Sequence, residues 1–130
     1  MRPSARPLQR IIQADGIYCL GLGTFLALVH QAASTRTGID PAALLLVLGI
    51  GTALWGIGIF WWSTYRQWDA AFPRLVIGAN IAWVVLSVLL LIADPFGLTA
   101  EGRFDVLWVG AIVLLLIVLQ VITLRRAVST

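Results

Sequence analysis

The chain has no lysine, one cysteine and one histidine among its 130 residues, and only 12% of the residues are charged. Each scarcity excludes something. Cys19 has no partner with which to close an intrachain disulfide, so a small disulfide-stapled scaffold is ruled out. His30 alone cannot supply both axial ligands of a b-type haem, and no second soft ligand accompanies it for zinc. Disordered chains are rich in charge and poor in hydrophobes, and soluble domains are about 25% charged; neither class fits. No Ser-His-Asp set and no paired-carboxylate site occurs. The glycines at 49, 51, 56 and 58 lie inside an apolar run, without the strand and lysine that a nucleotide-binding loop requires. Enzymatic chemistry, a bound metal and a cofactor are therefore not expected.

What the chain has is apolar bulk: 60% of its residues are hydrophobic and the mean hydropathy is +0.95. Four runs, Ile11–Ala33, Ala42–Trp62, Phe72–Ala93 and Phe104–Leu124, are each long enough for a helix to cross a hydrocarbon core, which takes about 20 residues. Lipid leaves no partner for an open backbone, so the spans are expected to be helices. The sequence thus predicts an all-α, polytopic membrane protein, a single domain of four transmembrane helices in an up-down bundle. Asp40-Pro41 reads as an N-cap with proline in the first helical position, and Asp94-Pro95 as the end of the third span. Thr99, Glu101 and Gly102 suit the turn into the fourth. Asp15 interrupts the first run and Gln31-Ala32-Ala33 is a poor cleavage site, so the first span reads as a retained helix and not a signal peptide.

All nine basic residues are arginines. With four spans, Arg2, Arg6, Arg10, Arg66, Arg74, Arg125 and Arg126 share one side, and only Arg36 and Arg103 lie on the other. Basic flanks stay cytoplasmic, so both termini are expected inside. The isoelectric point near 10.0 then reflects topology and not a nucleic-acid footprint. Trp61, Trp62, Tyr65 and Trp68 crowd the inner end of the second span, where aromatic rings anchor at the headgroups.

Helix association in lipid depends on close backbone approach at small residues. The first span carries Gly16, Cys19, Gly23, Ala27 and Ser34 along one stripe; the second carries Ala42, Gly49, Ala53, Gly56 and Ser63. These faces are expected to meet as a tight antiparallel hairpin, although such stripes also serve homo-oligomers or partner subunits. The third span places Asn80, Ser87 and Asp94 on one face, with Trp83 beside Asn80. The fourth, mostly branched aliphatics, is expected to be the most lipid-exposed.

Asp15 is the only carboxylate well inside a span, where a charge costs roughly 2.5–3.5 kcal/mol at mid-bilayer. It reads as a helix cap, as half of a structural pair, or as an ion or proton site. Asp15, Asn80 and Gln120 fall at one depth on three helices, which predicts a hydrogen-bonded polar cluster. His30, near the outer end of the first span, reads as a polar anchor. An internal echo accompanies these residues. Ala14-Asp15 is followed by Tyr18, and Ala79-Asn80 by Trp83, as a duplicated two-helix hairpin would give.

Small multidrug exporters also carry one acid early in their first helix, but Asp15 stands where they have glutamate and Gly23-Thr24 lies too far downstream. The early Asp15, Asn80-x-x-Trp83-Val84-x-x-Ser87, Leu98-Thr99-x-x-Gly102, and Gln120 ahead of Arg125-Arg126 resemble small uncharacterised bacterial four-helix integral membrane proteins. The resemblance spans most of the chain and implies the architecture; that family brings no established activity. The leading expectation is a non-enzymatic accessory or assembly subunit of a membrane complex, or a homo-oligomer, with membrane lipids as surroundings and no nucleic acid. The alternatives are a small oligomeric transporter or channel using Asp15, and a lipid, quinone or pigment binder.

Overall fold

A computed structural model describes residues 6–65 and 71–129, and among them it contains five α-helices. These are α1 (Arg6–Leu28), α2 (His30–Thr37), α3 (Ala42–Tyr65), α4 (Ala71–Ala93) and α5 (Ala100–Ser129). Four of them, all but α2, are long and apolar enough to cross a membrane. Arg2, Arg66 and Trp68 lie outside the described residues.

The first span differs from its expected bounds at both ends. The helix already includes Arg6, where Pro7 is tolerated because first-turn N–H groups have no intrahelical partner. Gln9 and Gln13 extend it by gaining partners on α3: Gln9 Nε2 donates to Ser63 O at 2.7 Å and Gln13 Nε2 to Thr64 Oγ1 at 2.9 Å. At the far end the run breaks at Val29 (φ −112°, ψ 25°) and resumes as α2. His30 Nδ1 lies 2.8 Å from Ala27 O, so this nitrogen carries the proton and ties the break back to α1. Gly38, at φ 83°, closes α2 by donating its N–H to Ser34 O, a left-handed cap that glycine adopts without steric cost.

The other ends follow from local chemistry. Helix α3 begins at Ala42, so Pro41 sits one residue outside it; its carbonyl accepts the Leu44 N–H at 3.0 Å. The expected Asp40 cap with Pro41 in the first turn is therefore displaced by one position. Asp94 ends α4 in a left-handed conformation (φ 46°), which aspartate tolerates better than most residues. Thr99 caps α5, its Oγ1 accepting the Gly102 N–H at 2.9 Å, with Glu101 in the first turn, where the helix dipole favours an acid.

Helices α1 and α3 run antiparallel at backbone contact. A Cβ built on Gly16 would stand 2.8 Å from Gly56 O, one on Gly56 would stand 2.5 Å from Gly16 O, and one on Gly49 would stand 2.7 Å from both Gly23 O and Ala27 N. Gly23 likewise faces Gly49 and Ala53 with no room for a side chain. The two small-residue stripes thus meet as the sequence predicts. Helix α4 packs along α5, α5 also touches α1, and α2 rests on α3 and α5, while α3 and α4 have little contact with each other. The result is two antiparallel pairs joined through α1 and α5, with α3 and α4 meeting near the termini, where Ile59 packs in one core with Phe72 and Val76. This arrangement makes α4 the least buried of the four spans, because α5 packs on two neighbours. The fourth span is not the most exposed.

Leu8, Ile12, Ile59, Phe72 and Val76 form the core near the termini, and Ile39, Leu45 and Leu98 the core at the opposite end. Elsewhere the apolar residues point outward: Leu28, Val47, Leu54, Leu75, Leu86 and Ile92 are all more than 60% exposed. A water-soluble monomer rarely presents such continuous apolar surface, and lipid is the solvent that it suits.

Candidate functional site

Asp15 lies ten residues into α1, within the helix and 1% exposed. It is not a cap, since the helix starts a full two turns earlier. The side chains of Asn80 on α4 and Gln120 on α5, 6% and 0% exposed, close around it. Asn80 Nδ2 donates to Asp15 Oδ2 at 2.8 Å and to Gln120 Oε1 at 3.0 Å, and Gln120 Nε2 donates to Asp15 Oδ2 at 2.9 Å. The Cys19 thiol, one turn along α1, donates to Asp15 Oδ1 at 3.4 Å. The three helices α1, α4 and α5 are therefore joined by one closed ring of hydrogen bonds. Among the described residues no ion pair involves Asp15, so the inner-arginine pairing is not what holds it.

The other singled-out residues take different places. Ser87 does not join the triad; its Oγ donates to the carbonyl of Trp83 within α4 at 2.8 Å. His30 is engaged at the α1–α2 break, and no group of three potential metal ligands occurs among the described residues. Trp61 and Tyr65 form a tilted pair with centroids 6.2 Å apart, and Trp62 stacks on Phe72 at 5.7 Å. Phe104 and Trp108 form a second pair at the opposite end, so both ends of the spans carry aromatic rings suited to the headgroup level.

Between the α1–α3 pair and the α4–α5 pair lies a cleft that the sequence did not reveal. Its larger part, about 870 Å³, runs toward the α2 end and is bordered there by Arg36, Thr37 and Asp105. A second part of about 420 Å³ reaches down to Cys19 and Asn80. The two share Tyr18, Leu22, Leu48, Thr52, Trp83 and Val109 as wall. Tyr18 and Trp83 pack on the Ile77–Val113–Ile117 cluster. The Tyr18 hydroxyl and the Trp83 Nε1–H are shielded from solvent and are the two buried side-chain polar atoms, among the described residues, without a hydrogen-bond partner.

The mouth of the cleft is braced by ion pairs. Arg36 binds Asp105 through Nε at 2.7 Å and Nη2 at 3.1 Å, and its Nη1 stands 3.9 Å from Glu101. The Asp105 hydrogen bond raises the Arg36 pKa above its already high value. Asp94 Oδ1 accepts the Leu98 N–H at 2.7 Å and Oδ2 accepts from Arg103 Nη2 at 2.9 Å. The Leu98 bond and then the Arg103 guanidinium hold the Asp94 carboxyl below its ordinary pKa against the opposing effect of burial. Thr99 ties the two loops together: its N–H donates to Thr37 O at 3.1 Å and its hydroxyl to Arg36 O. The positions of these acids were visible in the sequence, but not their cross-loop partners.

No family model matches the chain, and no curated protein or solved structure matches it either.

Proposed function

We propose that this chain is a non-enzymatic accessory or assembly subunit of a membrane complex. The observation that carries the reading is the Asp15–Asn80–Gln120 ring. Both oxygens of the one deep carboxylate are occupied by neutral donors from its own chain, which is how a helix-register lock is built and leaves a passing ion no open position. Rigid α1–α3 packing at glycine supports the same reading, since it fixes the surface offered to a partner. The loops are short, so recognition takes place within the membrane or at its edge.

The proposal includes a location: a bacterial inner membrane, both termini cytoplasmic. The orientation is supported by the arginines, most of which fall in sequence on the side of the termini; the bacterial membrane rests on the resemblance alone. The rival reading, a small oligomeric transporter, gains support only from the presence of Asp15 at depth.

The test is native mass spectrometry after gentle extraction from the original membrane. A stoichiometric complex with another protein is the expected result. A homo-oligomer alone, together with ion or proton flux that Asp15→Asn abolishes, would overturn the assembly reading in favour of transport.

A further inference from the structure

We propose that the end of the protein bearing the termini binds an anionic phospholipid by its phosphate, through Arg10, Arg74 and Arg125. The inference does not depend on the assembly role.

Three observations converge. The first is level. The Asp15–Asn80–Gln120 ring fixes α1, α4 and α5 against one another at one depth. Toward the termini from that ring, Arg10 lies five residues beyond Asp15, Arg74 six beyond Asn80, and Arg125 five beyond Gln120. At 1.5 Å per residue the three arginines stand about 7.5–9 Å from the ring, in one tier on three helices. The core beneath them is common to the same helices: Ile12 of α1 clusters with Phe72 and Val76 of α4, and Leu124 of α5 packs against them. Five or six residues turn each arginine well away from the ring, and all three are exposed.

The second is charge. The ion pairs among the described residues engage Arg36 and Arg103, at the opposite end; none engages Arg10, Arg74 or Arg125. Of the six acids, Asp40, Asp94, Glu101 and Asp105 belong to that opposite end, Asp15 is occupied within the ring, and Asp69 lies outside the described residues. A single aspartate cannot neutralise three arginines, so the tier keeps a net positive charge. With no lysine in the chain, every cation here is a guanidinium, whose planar fork matches two oxygens of a phosphate.

The third is setting. Trp62 of α3 stacks on Phe72 of α4 with centroids 5.7 Å apart, and Trp61 pairs with Tyr65 at 6.2 Å. Phe72 is two residues from Arg74, so aromatic rings share the level of the arginines. Such rings sit among headgroups, and basic groups between membrane helices at that depth recognise anionic headgroups. Just deeper than Arg74 and Arg125, Leu75 and Ile122 are exposed and apolar, a flank suited to acyl chains. A soluble phosphate would meet only the arginines, whereas a phospholipid meets both the arginines and this flank.

The experiment titrates the full chain in detergent micelles with phosphatidylglycerol or, separately, with phosphatidylcholine of the same acyl chains, and counts retained lipid by native mass spectrometry. Saturable retention of phosphatidylglycerol is expected, at least tenfold tighter than that of phosphatidylcholine, whose phosphate carries its own cation. It should weaken about fivefold in each of Arg10→Gln, Arg74→Gln and Arg125→Gln. It should be unchanged in Arg103→Gln, which removes the same charge at the opposite end. The preference of the parent chain is read without any variant, so a variant that fails to fold leaves the test intact. Equal retention of the two lipids, or a loss in Arg103→Gln as large as in the tier variants, would overturn the proposal. Displacement of the lipid by equimolar inorganic phosphate would assign the tier to a soluble anion and overturn it as well.

Discussion

Asp15 and Asn80, 65 positions apart, meet through a 2.8 Å hydrogen bond inside the membrane-spanning part of the protein. The residues one turn further along each helix, Tyr18 and Trp83, pack on the same apolar cluster and share the same unpartnered condition. The Ala-(Asp/Asn)-x-x-aromatic echo in the sequence thus corresponds to two helices that face each other across a common floor. Gln120 completes the arrangement from α5 and has no counterpart in the echo.

Removing Gln120 should show what the ring contributes. Gln120→Leu leaves Asn80 with one acceptor fewer and Asp15 Oδ2 with one donor fewer, in a buried site. Hydrogen bonds between membrane helices are worth about 0.6–2 kcal/mol, and stranding a buried polar partner costs about 1–3 kcal/mol. A loss of about 1–3 kcal/mol is expected in reversible unfolding from micelles. In an Asn80→Leu/Gln120→Leu cycle, the double variant should lose less than the sum of the singles.

Glycine substitutions should separate helix contact from helix propensity. A Cβ at Gly23 or Gly56 enters the backbone of α3 or α1, whereas one at Gly21 or Gly51 meets nothing within 4 Å. Gly56→Ala is expected to destabilise the fold by about 1–3 kcal/mol, the usual cost of overpacking. Gly51→Ala should be neutral or stabilise by up to about 1 kcal/mol, since alanine is the better helix former. Thermal melts of the four single variants in one detergent check both expectations.

Much of this was legible because membrane helices obey few and strong rules. The α1–α3 stripe could be read from residue size alone, since only small side chains permit backbone contact. The triad could be read from depth, since Asp15, Asn80 and Gln120 are polar groups at one level on three different spans, and such groups seek partners in lipid. The break at Val29 could not, because no proline or glycine marks it and the Ala27–His30 contact that ties it depends on the fold. Nor could the cleft, which lies between two helix pairs and leaves no signature in any single helix. The Asp15 capping reading failed because the apolar run starts later than the helix, whose first turns are stabilised by glutamines bonding across to α3.

The α4–α5 turn should loosen in acid. The carboxyl of Asp94 is held below its ordinary value of 3.8 by the Leu98 N–H and Arg103. A depressed folded pKa contributes stability that is complete above the unfolded value and is lost as pH falls through the folded one. Protection of the Leu98 amide, measured by hydrogen exchange relative to its intrinsic rate, should be flat from pH 7 to about 5 and should fall below about pH 4. Asp94→Asn keeps an acceptor for Leu98 and tolerates the left-handed backbone, so it should retain the turn and remove the acid dependence. Protection that falls equally in both proteins would trace it to another group.

Asp15→Asn and Asp15→Leu together separate a structural carboxylate from a functional one. With its amide oxygen in place of Oδ2, asparagine still accepts from Asn80 and Gln120, and its NH2 group faces the Cys19 sulfur, which is a weak acceptor. The ring therefore survives, and the expected stability loss is under about 1.5 kcal/mol. Leucine strands both amide donors at once and should cost more than either Asn80→Leu or Gln120→Leu. For a register lock, complex assembly should follow stability: retained in Asp15→Asn, reduced in Asp15→Leu. If Asp15→Asn folds with wild-type stability but loses ion or proton flux in proteoliposomes, the carboxylate acts on a substrate and the structural reading of the ring fails.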